Sequence, residues 1–334
     1  KFTDGTEQTY TLGLDGNGVY KYTLAQELPA GKTLISYDAA TKATPISITG
    51  EFATDAGGTR TSDAKTFSAG VGVDVAITKH TNEATISRGK VTADGLILEA
   101  GTPEEISSSA TSLAGYSAGD FGVAGAITVH VASAKTYAQI HKDAVISIGS
   151  GDLVLDAKSK TKFNTTAEGS NPNGAAGAKA GVGAGIAIAV IGVDSVAEIS
   201  DGVKMTQREG AKLQKLEVAA ESTNSEILNA RAGSAGGISI TPVLGLVISA
   251  ITNEAIFGRT NENKLIEAVE GTILAKSVID RQVAANAAAA GDSVGLGGSF
   301  AITVLNDTTR AKIRNSYKGD NLKISTVGRS SLRS

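Results

Sequence analysis

Few residues in this chain have types and spacing that invite chemistry. Three histidines exist, His80, His130 and His141, and imidazoles act as metal ligands or proton carriers when several polar groups converge. His130 falls at an alternate, outward-facing position of an aliphatic strand, and His80 and His141 fall near turns. Their counterparts in related stretches are Ala, Lys or Asp, so solvent-facing histidines are expected. The run Gly181-Val-Gly183-Ala-Gly185 has the composition of a phosphate-binding glycine loop. That loop needs a preceding strand and a following helix, whereas here a strand pattern follows, so close packing at a corner is expected. Asp15-Gly-Asn17-Gly carries fragments of a calcium loop without the closing Glu or a glycine-rich nonapeptide repeat. Asp74, Glu104, Glu105, Asp152 and Asp156 are scattered rather than clustered, and Thr59-Arg-Thr61 is an isolated Thr-x-Thr with no ladder of copies. The sequence therefore predicts no catalytic, metal or cofactor-binding residue, no cofactor and no enzymatic activity.

Composition narrows the field further. Cysteine is absent, which excludes disulfides, thiolate metal sites and a cysteine nucleophile. Net charge is −3 and no run of five like charges occurs, so neither a nucleic-acid footprint nor a polybasic membrane patch is expected. Gly is 40 of 334 residues, Trp is absent and aromatics are 4%. Aromatics ordinarily fill thick cores, so a chain of Ala, Gly, Val and Ile suits a thin interior. The chain opens on Lys1 with neither Met nor an apolar signal, as expected of a piece of something longer.

The elements that would position any site are written five times. Val71–Thr78 (VGVDVAIT) recurs as Ala126–Val131, Gly185–Ile191, Leu244–Ser249 and Phe300–Leu305. Each copy leads to a short signature: Ala84-Thr-Ile86, Ala138-Gln-Ile140, Ala197-Glu-Ile199, Ala255-Ile-Phe257 and Ala311-Lys-Ile313. The signature alanines are 54, 59, 58 and 56 residues apart, the mark of a repeat architecture. Counting back from them, Val73, Val75 and Ile77 and their twelve counterparts are all large and apolar. The alternate positions, such as Asp74, Ala76, Thr128, His130, Ala187 and Ala189, are small or polar. Period-2 alternation predicts β-strands with the large residues inside. A further strand is expected at Leu96, Leu98, Ala100 and at Leu153, Leu155, Ala157, with copies at Leu216–Ala220 and Leu322–Ile324. The copy near Ile273 has no clear phase. Two apolar stretches, 174–193 and 236–251, coincide with the repeated strand and are read as soluble repeat rather than membrane spans.

These patterns predict an all-β fold, a right-handed parallel β-helix (β-solenoid) of about five degenerate repeats of roughly 56 residues. Two coils per repeat, ten or so in all, would make a rod of roughly 50 Å. The repeat region is expected over 66–334. Residues 1–65 read as a β-rich cap or linker, with a hairpin over Thr9–Thr23 and short strands at Thr33–Tyr37 and Pro45–Thr49.

With the repeat in view, the chain resembles the repetitive parts of large bacterial exoproteins, the leukotoxin-type filamentous adhesins and, more distantly, the filamentous haemagglutinins. Gly181–Ile199 followed by Leu216–Ala220 carries the likeness: a Gly/Ala lead-in, an aliphatic strand, Ala-x-Ile, then Leu-x-Leu-x-Ala. The resemblance covers about 66–334 and implies a secreted, cell-surface filament that binds a protein or glycan on host or neighbouring cells. It also implies export through an outer-membrane partner. A membrane-active leukotoxin region and a carbohydrate-active β-helix enzyme are the alternative readings.

Overall fold

The computed structural model describes residues 10–14, 20–24, 51–61, 67–101, 105–117, 119–169, 175–260 and 264–334. Among them there is no helix, so the fold is all-β. The chain forms two compact units, Lys1–Ile48 and Thr49–Ser334. In the first, β1 (Tyr10–Leu14) pairs antiparallel with β2 (Tyr20–Leu24), Leu14 opposite Tyr20. This is the hairpin expected around Asp15-Gly-Asn17-Gly, although the turn itself, like 33–37 and 45–49, lies outside the described residues.

The second unit follows the repeat. In chain order it holds β3 (Glu51–Thr61), β4 (Phe67–Ile86), β5 (Lys90–Ala93), β6 (Leu96–Gly101), β7 (Ile106–Ser117) and β8 (Phe121–Ile140). Then come β9 (Val145–Ile148), β10 (Leu153–Gly169), β11 (Ala175–Ala176), β12 (Ala180–Ile199) and β13 (Lys204–Gln207). Three long strands close it: β14 (Leu213–Phe257), β15 (Ile266–Ile313) and β16 (Tyr317–Arg333). Because β3 pairs in parallel with β7, the ladder begins well before residue 66.

All pairing among the described residues of this unit is parallel, and each strand pairs with its counterpart in a neighbouring repeat. Val73 lies opposite Ile127, Ile127 opposite Ile186, Ile186 opposite Leu244, and Leu244 opposite Phe300. One layer of the stack therefore consumes one whole repeat. The expectation of two coils per repeat, and of ten coils, is corrected: first-leg strands of 20 residues such as β8 and β12 leave room in 56 residues for one layer only. Five layers at a strand spacing of about 4.8 Å make the first leg roughly 20 Å deep.

Each layer has three parts. A first leg is formed by β4, β8, β12 and the later halves of β14 and β15. A second leg is formed by β3, β6, β7, β10, β11, the early halves of β14 and β15, and β16. A short third sheet, β5-β9-β13, spans the gap. Within β14 the two legs meet at Gly236, whose φ of 145° and register shift mark the bend. Only glycine adopts that backbone without strain.

The fourth copy of the Leu-x-Leu-x-Ala strand, unphased in the sequence, falls into register as Gly271, Ile273 and Ala275 opposite Leu216, Val218 and Ala220. Glycine replaces leucine there because the Tyr317 side chain occupies the space, its hydroxyl 2.6 Å from where a β-carbon would stand. Ala284–Ala290, a helix former on propensity, is strand, paired with Asn229–Ala235.

The face assignment is overturned. Val73, Val75 and Ile77, expected inside, point to solvent, with Val75 59% exposed. Asp74 and Ala76, and likewise Thr128, His130, Ala187 and Ala189, are buried. The physical reason lies in the spacing of the two legs. A β-carbon on Gly185 would come within 2.5 Å of the Arg231 carbonyl oxygen on the opposite leg, so the legs nearly touch there. Further along, small residues of the first leg make room for larger ones between the legs, as Gly245 does for Leu228, and Phe163, Val243 and Val247 are buried in the same interior. Toward the third sheet the legs separate, and Ile140, Ile146, Leu155, Ile199, Met205 and Phe257 fill a broad apolar core.

Candidate functional site

The residues singled out for chemistry do not assemble. His130 is fully buried, not solvent-facing, because its strand face is the inner one. Its Nε2 lies 2.9 Å from Ser108 Oγ and its Nδ1 lies 3.0 Å from Thr165 Oγ1. Ser108 continues to Thr78 Oγ1 at 2.8 Å, and the Phe163 ring meets the imidazole edge-on with centroids 6.2 Å apart. Burial pulls the His130 pKa below 6.5, opposed by a backbone hydrogen bond and by the charge of Asp74. A serine beside an imidazole has the geometry of a nucleophile and its base. Here both are sealed between the two legs, so the chain of hydroxyls and imidazole acts as an internal strut joining them.

His80 is half-buried on β4, and His141 follows β8 in a turn where its backbone N–H donates to Ile86 O at 2.9 Å. Among the described residues no three His, Asp or Glu side chains could hold a metal. Asp74 accepts the Thr111 N–H at 2.8 Å. Asp156 pairs with Lys158, Glu105 lies 3.7 Å from Lys160, and Asp152 precedes β10. Burial raises the Asp156 pKa against the pull of Lys158. Glu104 and the Asp15-Gly-Asn17-Gly loop lie outside the described residues, as do the side chains of Thr59 and Thr61. Gly183 and Gly185 do serve close packing, but in mid-strand rather than at a corner.

One buried group was not anticipated. Arg281, with no solvent exposure, donates from Nε to Glu226 at 2.8 Å and grips Asp307 with two bonds of 2.8 and 2.7 Å. It also reaches Ser249 at 3.1 Å and Ser330 at 3.0 Å. Burial raises the Glu226 pKa even beside this guanidinium. Glu226 and Arg281 are register partners on the second leg, while Asp307 and Ser249 sit on the first. The cluster locks the register and ties the legs together. The sequence signal was there, opposite charges one repeat apart, but single charges at that spacing are also what a solvated face shows.

Among the described residues of the second unit, the outer face of the first leg is left uncovered. Outward positions 67–77 of β4 are stacked on 121–131 of β8, 180–190 of β12, 238–248 of β14 and 294–304 of β15. All six outward residues on each of these five strands are Gly, Ala, Pro, Val, Ile, Leu or Phe. Phe300 is 69% exposed, and Val73, Ile77 and Leu296 are also open to solvent. The next outward column holds Lys79, Ser133 and Asn306, where the apolar surface ends. Ten residues of strand and five strands define roughly 600–800 Å², more than the largest apolar patch of an ordinary monomer, about 300–600 Å². By contrast, the outer face of the second leg is charged: Lys158 exposed beside Asp156, Lys276 bonded to Glu221 at 3.2 Å, Lys215 paired with Glu217.

Comparison with protein-family models, with characterised proteins and with solved structures returns no match. Among the described residues no helix is long and apolar enough to cross a membrane, and the two apolar stretches lie largely in β12 and β14.

Proposed function

We propose that this chain is a right-handed parallel β-solenoid segment of a large secreted bacterial exoprotein, working as a stiff, non-catalytic rod that displays contact surface to host or neighbouring cells. The observation that carries the reading is the parallel stacking of each repeat on its own copy, at first-leg offsets of 54 to 59 residues, with a register shift at Gly236. Such a stack distributes load over many backbone hydrogen bonds and lengthens by adding layers. The charged second leg and the turns, which differ from layer to layer, offer the variable surface that recognition of a surface protein or glycan needs.

Two experiments test this reading. Deleting residues 141–199, one full repeat in register, is expected to leave the β circular-dichroism spectrum and cooperative unfolding intact, whereas deleting 141–170 abolishes both. Equal tolerance of the two deletions removes the solenoid. For display, the purified chain is expected to bind epithelial cells or immobilised glycans saturably, and absence of binding by this chain and by any longer form of the protein removes the adhesive role.

A further inference from the structure

We propose that the aliphatic face of the first leg is where two copies of this chain pack, sheet against sheet, so that the rods pair laterally. The inference rests on this face alone and not on the adhesive reading. Its area of roughly 600–800 Å² is close to the ~800 Å² per partner of a standard stable interface. No outward residue within the five rows is charged or polar, so two identical faces meet without repulsion and without stranding a hydrogen-bonding group. Flat sheets with aliphatic faces pack at about 10 Å with their side chains interdigitated.

The relief of the face is self-complementary. In four of the five rows one column, Gly125, Ala184, Pro242 and Gly298, is low, and Val71 closes it at the β4 edge; nothing stands within 4 Å of where a β-carbon would be on Gly125 or Gly298. In those same four rows taller columns flank it, Val123, Val182, Ile240 and Leu296 on one side, with Ala69 in the β4 row, and Ile127 to Phe300 on the other. A two-fold axis near the centre seats a ridge of each copy in the trough of the other, an isologous contact that closes on itself. A lipid surface fits less well. The chain has no Trp, and the face carries neither the basic nor the interfacial aromatic girdle that anchors proteins at membranes.

Analytical ultracentrifugation of the full 334-residue chain is expected to show a dimer at micromolar concentration. The double variant Val129→Lys, Ile188→Lys places charge within the face, on two adjacent strands, and is expected to weaken dimerisation about 100-fold or more, with an unchanged β spectrum. Because the chain has no cysteine, Ile186→Cys tests the geometry without disturbing the fold. A short bis-maleimide is expected to cross-link it between copies, and Thr223→Cys, exposed on the other leg, is expected to remain uncoupled. A monomer at about 100 µM overturns the proposal. So does a dimer that survives both lysines, or cross-linking of Thr223→Cys in place of Ile186→Cys. A monomer that floats with phosphatidylcholine–phosphatidylglycerol vesicles assigns the face to lipid instead. The repeat deletion reads the rod independently, so failure of pairing and failure of the solenoid are told apart.

Discussion

The two ends of the repeated strand obey opposite rules. In β12 the inner residues of the first half are Gly181, Gly183, Gly185, Ala187 and Ala189, and the outer ones include Ile186, Ile188 and Val190. Past Ile191 the sides exchange: Ile191, Val193, Ala197 and Ile199 turn inward, and Asp194 and Glu198 turn out. The backbone alternation never breaks. What changes is the distance to the opposing leg, which is near contact at Gly185 and wide where the third sheet intervenes. Side-chain volume follows the gap, because interiors are close-packed and tolerate neither overlap nor voids.

This contrast yields a graded series of tests. Gly185→Val at the narrow end forces a branched side chain against the Arg231 carbonyl. Since the backbone of the other leg cannot yield locally, a loss of more than ~3 kcal/mol is expected, visible as loss of cooperative thermal unfolding. A variant that unfolds like the parent breaks the narrow-end rule. At the wide end, Leu155→Ala leaves a hole in a fully buried cluster and is expected to cost about 2–5 kcal/mol in chemical denaturation. A value well below that would show that the core relaxes as freely as a surface.

How much of this was legible follows from the same contrast. The period and the strands stood in the spacing of Ala84, Ala138, Ala197, Ala255 and Ala311, and a 54–59-residue recurrence of one alternating pattern favoured stacking like on like, which the parallel pairing then shows. The side on which Val73 or Ile188 lies was not legible. Period 2 fixes that alternate residues share a face but not which face is covered, and the habit of placing large apolar residues inside presumes a core thick enough to hold them. His130 was misplaced by the same step. The pairing of Arg281 with Glu226 and Asp307 depended on the register and on the fold of the two legs together.

Smaller effects sharpen the comparison from the polar side. His130 is held neutral in the narrow interior, its pKa depressed from 6.5 by burial. Its unfolded form takes up a proton more readily, so stability is full above about pH 6.5 and falls as pH drops toward the folded pKa. His130→Gln is expected to flatten that part of the unfolding-versus-pH profile while lowering stability throughout. A profile unchanged by the substitution would show that His130 does not carry the acid sensitivity. Smallest of all, Val75→Thr on the outer face of the narrow end is expected to shift stability by about 0.5 kcal/mol or less, because its side chain is open to solvent. A large loss would mean that this face is already covered within a single chain.

The sequence by itself determined the repeat, the strands, and the exclusion of disulfides and thiolate sites, because these depend on local pattern and composition alone. Its shortage of aromatics and surplus of glycine fit the narrow end of the interior, though not the broad apolar core beside the third sheet. Only the tertiary structure decided which face is inside, because that depends on how closely a second leg, written some 45 residues away, approaches the first: Gly185 against Arg231. It also decided that one repeat makes one layer. With small residues lining most of the first leg's inner side at the narrow end, its aliphatic side chains lie on the outer face on which the pairing proposal stands.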